Sequence, residues 1–258
     1  MPAALPHRIP ADLRLDDSRD VRVDLHPGGP REKLIVALDV STAAAAQKII
    51  ADVGDSVRTY KIGMQLYTAE GPQLVRDLVA SGRRVFLDLK YHDIPNTVAS
   101  AVHEAAQLGV SMLTVHAAGS GKMLRAAVDA ARATNPQLLV LGVTVLTSLD
   151  ENDLEKIGVR GTVQDEVLRL CALALANGCG GIVASARETA RLRTQLGNDF
   201  AIVNPGVRLS GAEHGDQVRV ATPAEAIMAG ATHIVVGRTI TAAADPAAAA
   251  REILGQIG

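Results

Sequence analysis

The segment Val85-Phe-Leu-Asp-Leu-Lys-Tyr-His-Asp-Ile-Pro-Asn-Thr97 decides how the rest of the chain is read. It opens on the apolar residues Val85, Phe86 and Leu87, then turns charged at Asp88, Lys90 and Asp93. Side chains alternate between the faces of a strand, so Asp88 and Lys90 share one face while Leu87 and Leu89 take the other. A strand whose leucines pack outward therefore drives an acid and an ammonium together into an interior. Pro95 suits the first turn of a following helix, which leaves Asp93 in the connection. An ion pair at the end of a buried strand is costly to desolvate. It is either a structural plug or part of a site that uses it.

Outward from this segment, the composition narrows the function classes. With 258 residues, 48% of them apolar, the chain can bury a large core, and α/β barrels of this length form one domain. The apolar runs have strand length and none approaches a membrane span. A formal net charge of −2 and 2% aromatic residues argue against a nucleic-acid surface, which needs a basic face and stacking rings. Cys171 and Cys179 have neither C-x-x-C spacing nor a companion histidine, and read as reduced thiols. A cytoplasmic protein acting on a small molecule is the expectation.

Residues 1–32 differ from the rest. They are rich in Pro, Asp and Arg, lack sustained periodicity, and end in Pro27-Gly-Gly-Pro30. There is no apolar h-region, and the aspartates argue against an organellar transit peptide. An N-terminal arm is expected here, mostly unstructured, with room for a short helix around residues 10–20. The catalytic domain then spans residues 33–258.

Strand-like runs follow at 34–39, 58–63, the opening segment, 111–116, 138–145, 180–184, 201–204 and 232–236. Helical patterns lie between them, one opening at Glu70-Gly-Pro72 and others over 95–108, 122–133 and 163–177. Eight strand–helix units predict an α/β chain of the (β/α)8 TIM-barrel class, as a single domain carrying the arm. A doubly wound open sheet is the alternative. Polar residues recur at the C-terminal ends of the strands: Asp39, Lys61, Asp88, Lys90, His116, Thr147 and Arg238. In a barrel these meet at one mouth, where the active sites of this fold sit.

Lys61 lies inside an apolar strand and needs an acidic partner, for which Asp88 is the natural choice. Asp39 either accepts from sugar hydroxyls or caps its loop. Thr147, with Ser148 as a competing choice, is a candidate polar contact after the fifth strand. Asn204-Pro-Gly-Val-Arg208 opens a loop running to Asp216-Gln-Val-Arg-Val220, whose glycines and polar residues predict a mobile lid. Gly237 and Arg238 follow the eighth strand, where barrels bind phosphate on backbone N–H groups and a guanidinium fork. His92, His116 and His214 show no metal-ligand spacing. His116 is expected at the mouth, His92 packed beside the charged segment, and His214 solvated in the lid.

The run F-L-D-L-K-Y-H-D-I-P-N-T resembles the signature of the orotidine 5'-phosphate decarboxylase family, D-x-K-x-x-D-I-P-x-T. The resemblance covers residues 33–258 in order. It implies decarboxylation of orotidine 5'-monophosphate to uridine 5'-monophosphate with neither cofactor nor metal. It assigns proton delivery to Lys90, orientation of Lys90 and crowding of the substrate carboxylate to Asp88 and Asp93, and charge balance with a ribose contact to Lys61. Asp39, Thr147, Arg208, Gln217, Gly237 and Arg238 become substrate contacts, with Gln217 on the phosphate. A homodimer with shared active sites is implied as well, Asp93, Ile94 and Thr97 reaching the neighbouring subunit. The nearest competitor is a magnesium-dependent phosphosugar decarboxylase or hexulose-phosphate aldolase of similar fold. Such relatives carry a metal-binding Glu where this chain has Lys61, and an ammonium cannot ligate magnesium. A non-catalytic binding barrel is a third reading, and it would be expected to lose Lys90 or one of the acids.

Overall fold

The apolar runs become eight parallel strands: β1 (Leu34–Ala37), β2 (Thr59–Gly63), β3 (Arg84–Tyr91), β4 (Met112–His116), β5 (Leu139–Val143), β6 (Gly181–Val183), β7 (Ala201–Asn204) and β8 (His233–Val236). They pair in sequence order, and β8 returns to β1 to close a barrel. The structure is a computed structural model that describes residues 28–209 and 221–258. Its helices are α1 (Pro30–Lys33), α2 (Ala43–Val53), α3 (Met64–Ala80), α4 (Pro95–Gln107), α5 (Ser120–Thr134), α6 (Glu151–Lys156), α7 (Val163–Ala176), α8 (Ala186–Leu196), α9 (Pro223–Met228), α10 (Arg238–Thr241) and α11 (Pro246–Gln256). Side chains fix where several of them begin: Thr42, Thr162, Ser185, Thr222 and Asp245 each accept a backbone N–H of the first turn. Among the described residues no helix is long and apolar enough to cross a membrane.

The two-residue period of the strands sorts the core into two parts. Leu34, Val36, Tyr60, Ile62, Val85, Leu87, Leu113 and Val115 point outward and pack with the helices. Ile35, Ala37, Phe86, Met112, Leu139, Leu141, Ala201, Val203 and Val235 fill the barrel interior. Truncating an interior anchor such as Phe86 to alanine should cost about 3–5 kcal/mol, because the closed barrel cannot collapse onto the void. The same alternation, carried toward the C-terminal mouth, places Asp39 above Ala37, Asp88 above Phe86 and Thr114 above Met112. A polar layer thus caps an apolar plug, and sequence parity alone positions it.

The strands agree with the sequence expectation to within about two residues, the usual uncertainty of such boundaries. Asp39 lies just past the end of β1 rather than in it. Two elements differ in extent. Glu70-Gly-Pro72 does open a helical stretch, which restarts at Pro72 after the non-helical Gly71 (φ 68, ψ −164), a left-handed conformation open to glycine. A helical stretch from Met64 precedes it, and the two together make up α3. The missing N–H of Pro72 suits the restart. Residues 30–33, placed mostly in the arm by their composition, form the one-turn helix α1, which lies against β1, β8 and α11. The expected helix around residues 10–20 lies outside the described residues.

Candidate active site

A cavity of about 530 Å³ opens at the C-terminal ends of the strands. Asp39, Lys61, Asp88 and Lys90 line it, together with Thr147, Arg208, Gly237 and Arg238. The first four form a row of alternating charge. Lys61 Nζ is 2.9 Å from Asp39 Oδ1 and 3.7 Å from Asp88 Oδ2. Lys90 Nζ donates to both oxygens of Asp88, at 2.9 and 3.0 Å. The side chains of Lys61 and Asp88 are only 12% and 13% exposed, so each charge is compensated mainly by its neighbours. Asp88 is the partner expected for Lys61, yet Asp39 is the closer. Register explains it: Lys61 pairs with Ala37, and Asp39 follows two residues later on the same face.

Lys90 reaches Asp88 through a backbone irregularity rather than by plain alternation. Leu87 pairs with Leu113 and Tyr91 with Val115, so β3 advances four residues while β4 advances two. This bulge places Lys90 at φ 52, a left-handed conformation that costs a non-glycine residue about 1–3 kcal/mol. Its N–H donates to Thr114 Oγ1 at 2.9 Å, and the same hydroxyl donates to Asp88 Oδ1 at 2.9 Å. Thr114 is fully buried.

The sequence pattern of the Orotidine 5'-phosphate decarboxylase / HUMPS family matches residues 32–253. The chain belongs to that family. A protein named orotidine 5'-phosphate decarboxylase from Halorhodospira halophila (strain DSM 244 / SL1) is 52% identical over 231 residues, covering 90% of this chain and 97% of its own. Its namesake from Anaeromyxobacter dehalogenans (strain 2CP-1 / ATCC BAA-258) is 52% identical over 224 residues, covering 87% and 97%. The crystal structure of orotidine 5'-phosphate decarboxylase from Lactobacillus acidophilus superposes with a TM-score of 0.80 at 36% identity, over 88% of this chain and 99% of that one.

Within this orotidine 5'-phosphate decarboxylase / HUMPS chain, the residues singled out from sequence fall into three groups. Asp39, Lys61, Asp88, Lys90, Thr147, Arg208, Gly237 and Arg238 share the cavity, and Ser148 is not among its lining residues. Asp93, Ile94 and Thr97 lie instead on the exposed surface where β3 leads into α4. There Asp93 Oδ1 accepts the N–H of Ile94 at 2.6 Å, and Pro95 starts the helix as expected. Gln217 and His214 lie outside the described residues. Sequence reasoning missed Thr114, and it read Pro205-Gly-Val207 as the start of a loop without assigning it the place it takes in the cavity wall beside Arg208. Thr114 stands two residues before His116 on the same strand, and that parity is the signal that could have found it.

His116 stacks on His92, ring centroids 5.3 Å apart, and neither is among the residues lining the cavity, where the sequence places His116. Burial first, then the neighbouring His92 and Lys90, pull the His116 pKa below its ordinary value and favour the neutral ring. Among the described residues, no group of three or more His, Cys, Asp or Glu could hold a metal ion. Cys171 and Cys179 are free and buried, and burial raises both thiol pKa values.

Proposed function

We propose that this chain decarboxylates orotidine 5'-monophosphate to uridine 5'-monophosphate and CO2, the final step of de novo pyrimidine synthesis, without a cofactor. The observation that carries the reading is the row Asp39–Lys61–Asp88–Lys90 on the cavity wall, in a chain about half identical to proteins named for that reaction. As the ring carbon releases CO2, the electron pair of the broken bond stays on that carbon. No carbonyl is positioned to take it up, so fixed charges must stabilise it. The Lys90 ammonium supplies that stabilisation and then transfers a proton to the carbon, forming the new C–H bond.

Magnitudes assign the larger part to Lys90 rather than to crowding of two carboxylates. Two unit negative charges about 4 Å apart repel by roughly 4 kcal/mol at an effective dielectric near 20. Enzymes lower barriers by about 8–23 kcal/mol, and the two ammonium groups also offset the repulsion. The remainder falls to transition-state stabilisation. Binding energy from the phosphate end, through Gly237, Arg238, Arg208 and Gln217, holds the pyrimidine in place. Thr147 contacts the ring, and Asp39 with Lys61 contacts the ribose.

The site is completed in this reading by a second copy. Ile94 is 67% exposed, a large apolar side chain beside Asp93 on the rim. In a two-fold dimer Asp93, Ile94 and Thr97 enter the neighbouring cavity, the acid adding a second carboxylate near Lys90. A metabolic enzyme of this kind works in the cytoplasm. Against the magnesium-dependent phosphosugar enzymes, the Lys61 ammonium stands between the two acids that a divalent cation would need. The purified protein mixed with orotidine 5'-monophosphate should consume its ultraviolet absorbance and release one CO2 per uridylate. Absence of turnover, together with aldol cleavage of a hexulose phosphate, would transfer the chain to the other branch.

A further inference from the structure

The bulge in β3 leaves a problem that one side chain solves. Lys90 is bent out of the regular ladder, and its N–H is donated to the Thr114 hydroxyl instead of a strand carbonyl. A hydroxyl has one proton and can also accept. Here it accepts from the Lys90 N–H and spends its proton on Asp88 Oδ1, the oxygen that also takes a hydrogen bond from Lys90 Nζ. An ionised carboxylate only accepts, so this donor sense is the one compatible with both partners. We propose that Thr114 is the positioning residue for the reacting ammonium, tying the backbone of Lys90 and the carboxylate that aims its side chain to a single buried atom. The proposal rests on the reading of Lys90 given above.

The geometry separates this role from that of a β-branched residue merely suited to a strand. Thr114 is fully buried, two residues from the stacked His116, and both of its hydrogen bonds run to the same pair of residues. With the hydroxyl gone, the left-handed turn at Lys90 loses its restraint and Asp88 Oδ1 loses one of two donors. The ammonium then samples positions off the line to the reacting carbon. Thr114 is not among the residues lining the cavity, so the ground-state complex should form as before.

Thr114→Ser and Thr114→Ala test this directly, since both lack the methyl and differ from each other only in the hydroxyl. The serine variant should keep kcat within about two-fold of the parent, whereas alanine should lose roughly ten- to hundred-fold in kcat with KM nearly unchanged. Thr114→Val, with the parent's volume but no hydroxyl, should behave like alanine. Equal kcat for serine and alanine overturns the proposal, as does a loss carried by KM. If neither hydroxyl-free variant folds while the serine variant does, the hydroxyl serves the fold rather than the rate, and the proposal is again wrong. The parent enzyme assayed alongside separates the claims. Without parental turnover the activity assignment fails and this proposal falls with it; with turnover, only the hydroxyl is in question.

Discussion

Lys61 holds Asp39 by a 2.9 Å ion pair across the β1–β2 seam, with Asp88 3.7 Å away on its other side. The Asp39 side chain is 60% exposed and that of Asp88 13%, so one ammonium links a wetted acid to a buried one. Such a fixed cation leaves a divalent metal neither the charge deficit nor the oxygen ligands it requires. Turnover of orotidine 5'-monophosphate should therefore survive exhaustive chelation in full. A loss that magnesium restores would contradict the account.

Arg238 lines the same cavity as the charged row, next to Gly237 at the start of α10. Arg238→Ala should lower kcat/KM for the phosphorylated substrate by about 1.5–3 kcal/mol, the usual loss for a hydrogen bond to a charged group. Turnover of the nucleoside without phosphate should barely change. Steady-state kinetics on both substrates check this, and equal losses would make Arg238 a structural residue.

Much of the site is legible in the amino-acid sequence because strand parity positions it. Ile35, Ala37 and Asp39 fall on one face, as do Phe86 and Asp88, so placing the apolar plug also places the acids. What escapes is set by pairing between distant strands. Nothing local in Asp88-Leu-Lys90 announces a bulge, and a lysine is an unusual residue for a left-handed position. Thr114 reads as an ordinary strand threonine until the bulge brings two partners to its hydroxyl. The nearer partner of Lys61 likewise depends on register, which strand-by-strand reading does not supply. The helix start at Gly71-Pro72 is legible, whereas the helical stretch before it, Met64–Glu70, follows Gly63 with no capping side chain and escapes.

Lys90 lines the cavity of its own barrel, whereas Asp93 sits on the exposed rim, a separation compatible with the shared site proposed above. In the proposed two-fold dimer, the Lys90→Ala and Asp93→Asn enzymes should each be nearly inactive. After subunit exchange at equal amounts, half the dimers are hybrids with one intact site of two, so about one quarter of sites should recover. Activity of the mixture reports it. No recovery would mean that Asp93 serves its own subunit.

His233 should make the fold acid-sensitive. The ring is buried, 2.9 Å from Thr232 Oγ1, and burial followed by the nearby Arg84 pushes its pKa from 6.5 down to about 3. Above the unfolded value neither state binds the proton, and this group costs nothing. As pH falls from 6.5 toward 3 the unfolded chain takes up a proton that the folded chain refuses. Stability should then drop by about 1.4 kcal/mol per pH unit from this group alone. Urea denaturation across that window should show a slope shallower by about one proton in His233→Gln. Identical slopes would remove His233 from the explanation.

The central claim is that Lys90, held by Asp88, stabilises the developing carbanion and protonates it. Single-turnover decarboxylation of bound orotidine 5'-monophosphate by Lys90→Ala tests it most directly. Losing one preorganised donor costs about 10²–10³ in rate and losing a general acid about 10²–10⁴, so the variant should be slower by at least roughly 10⁴-fold while still binding the nucleotide. A Lys90→Ala enzyme that keeps decarboxylating within about ten-fold of the parent would show that the chemistry is done elsewhere.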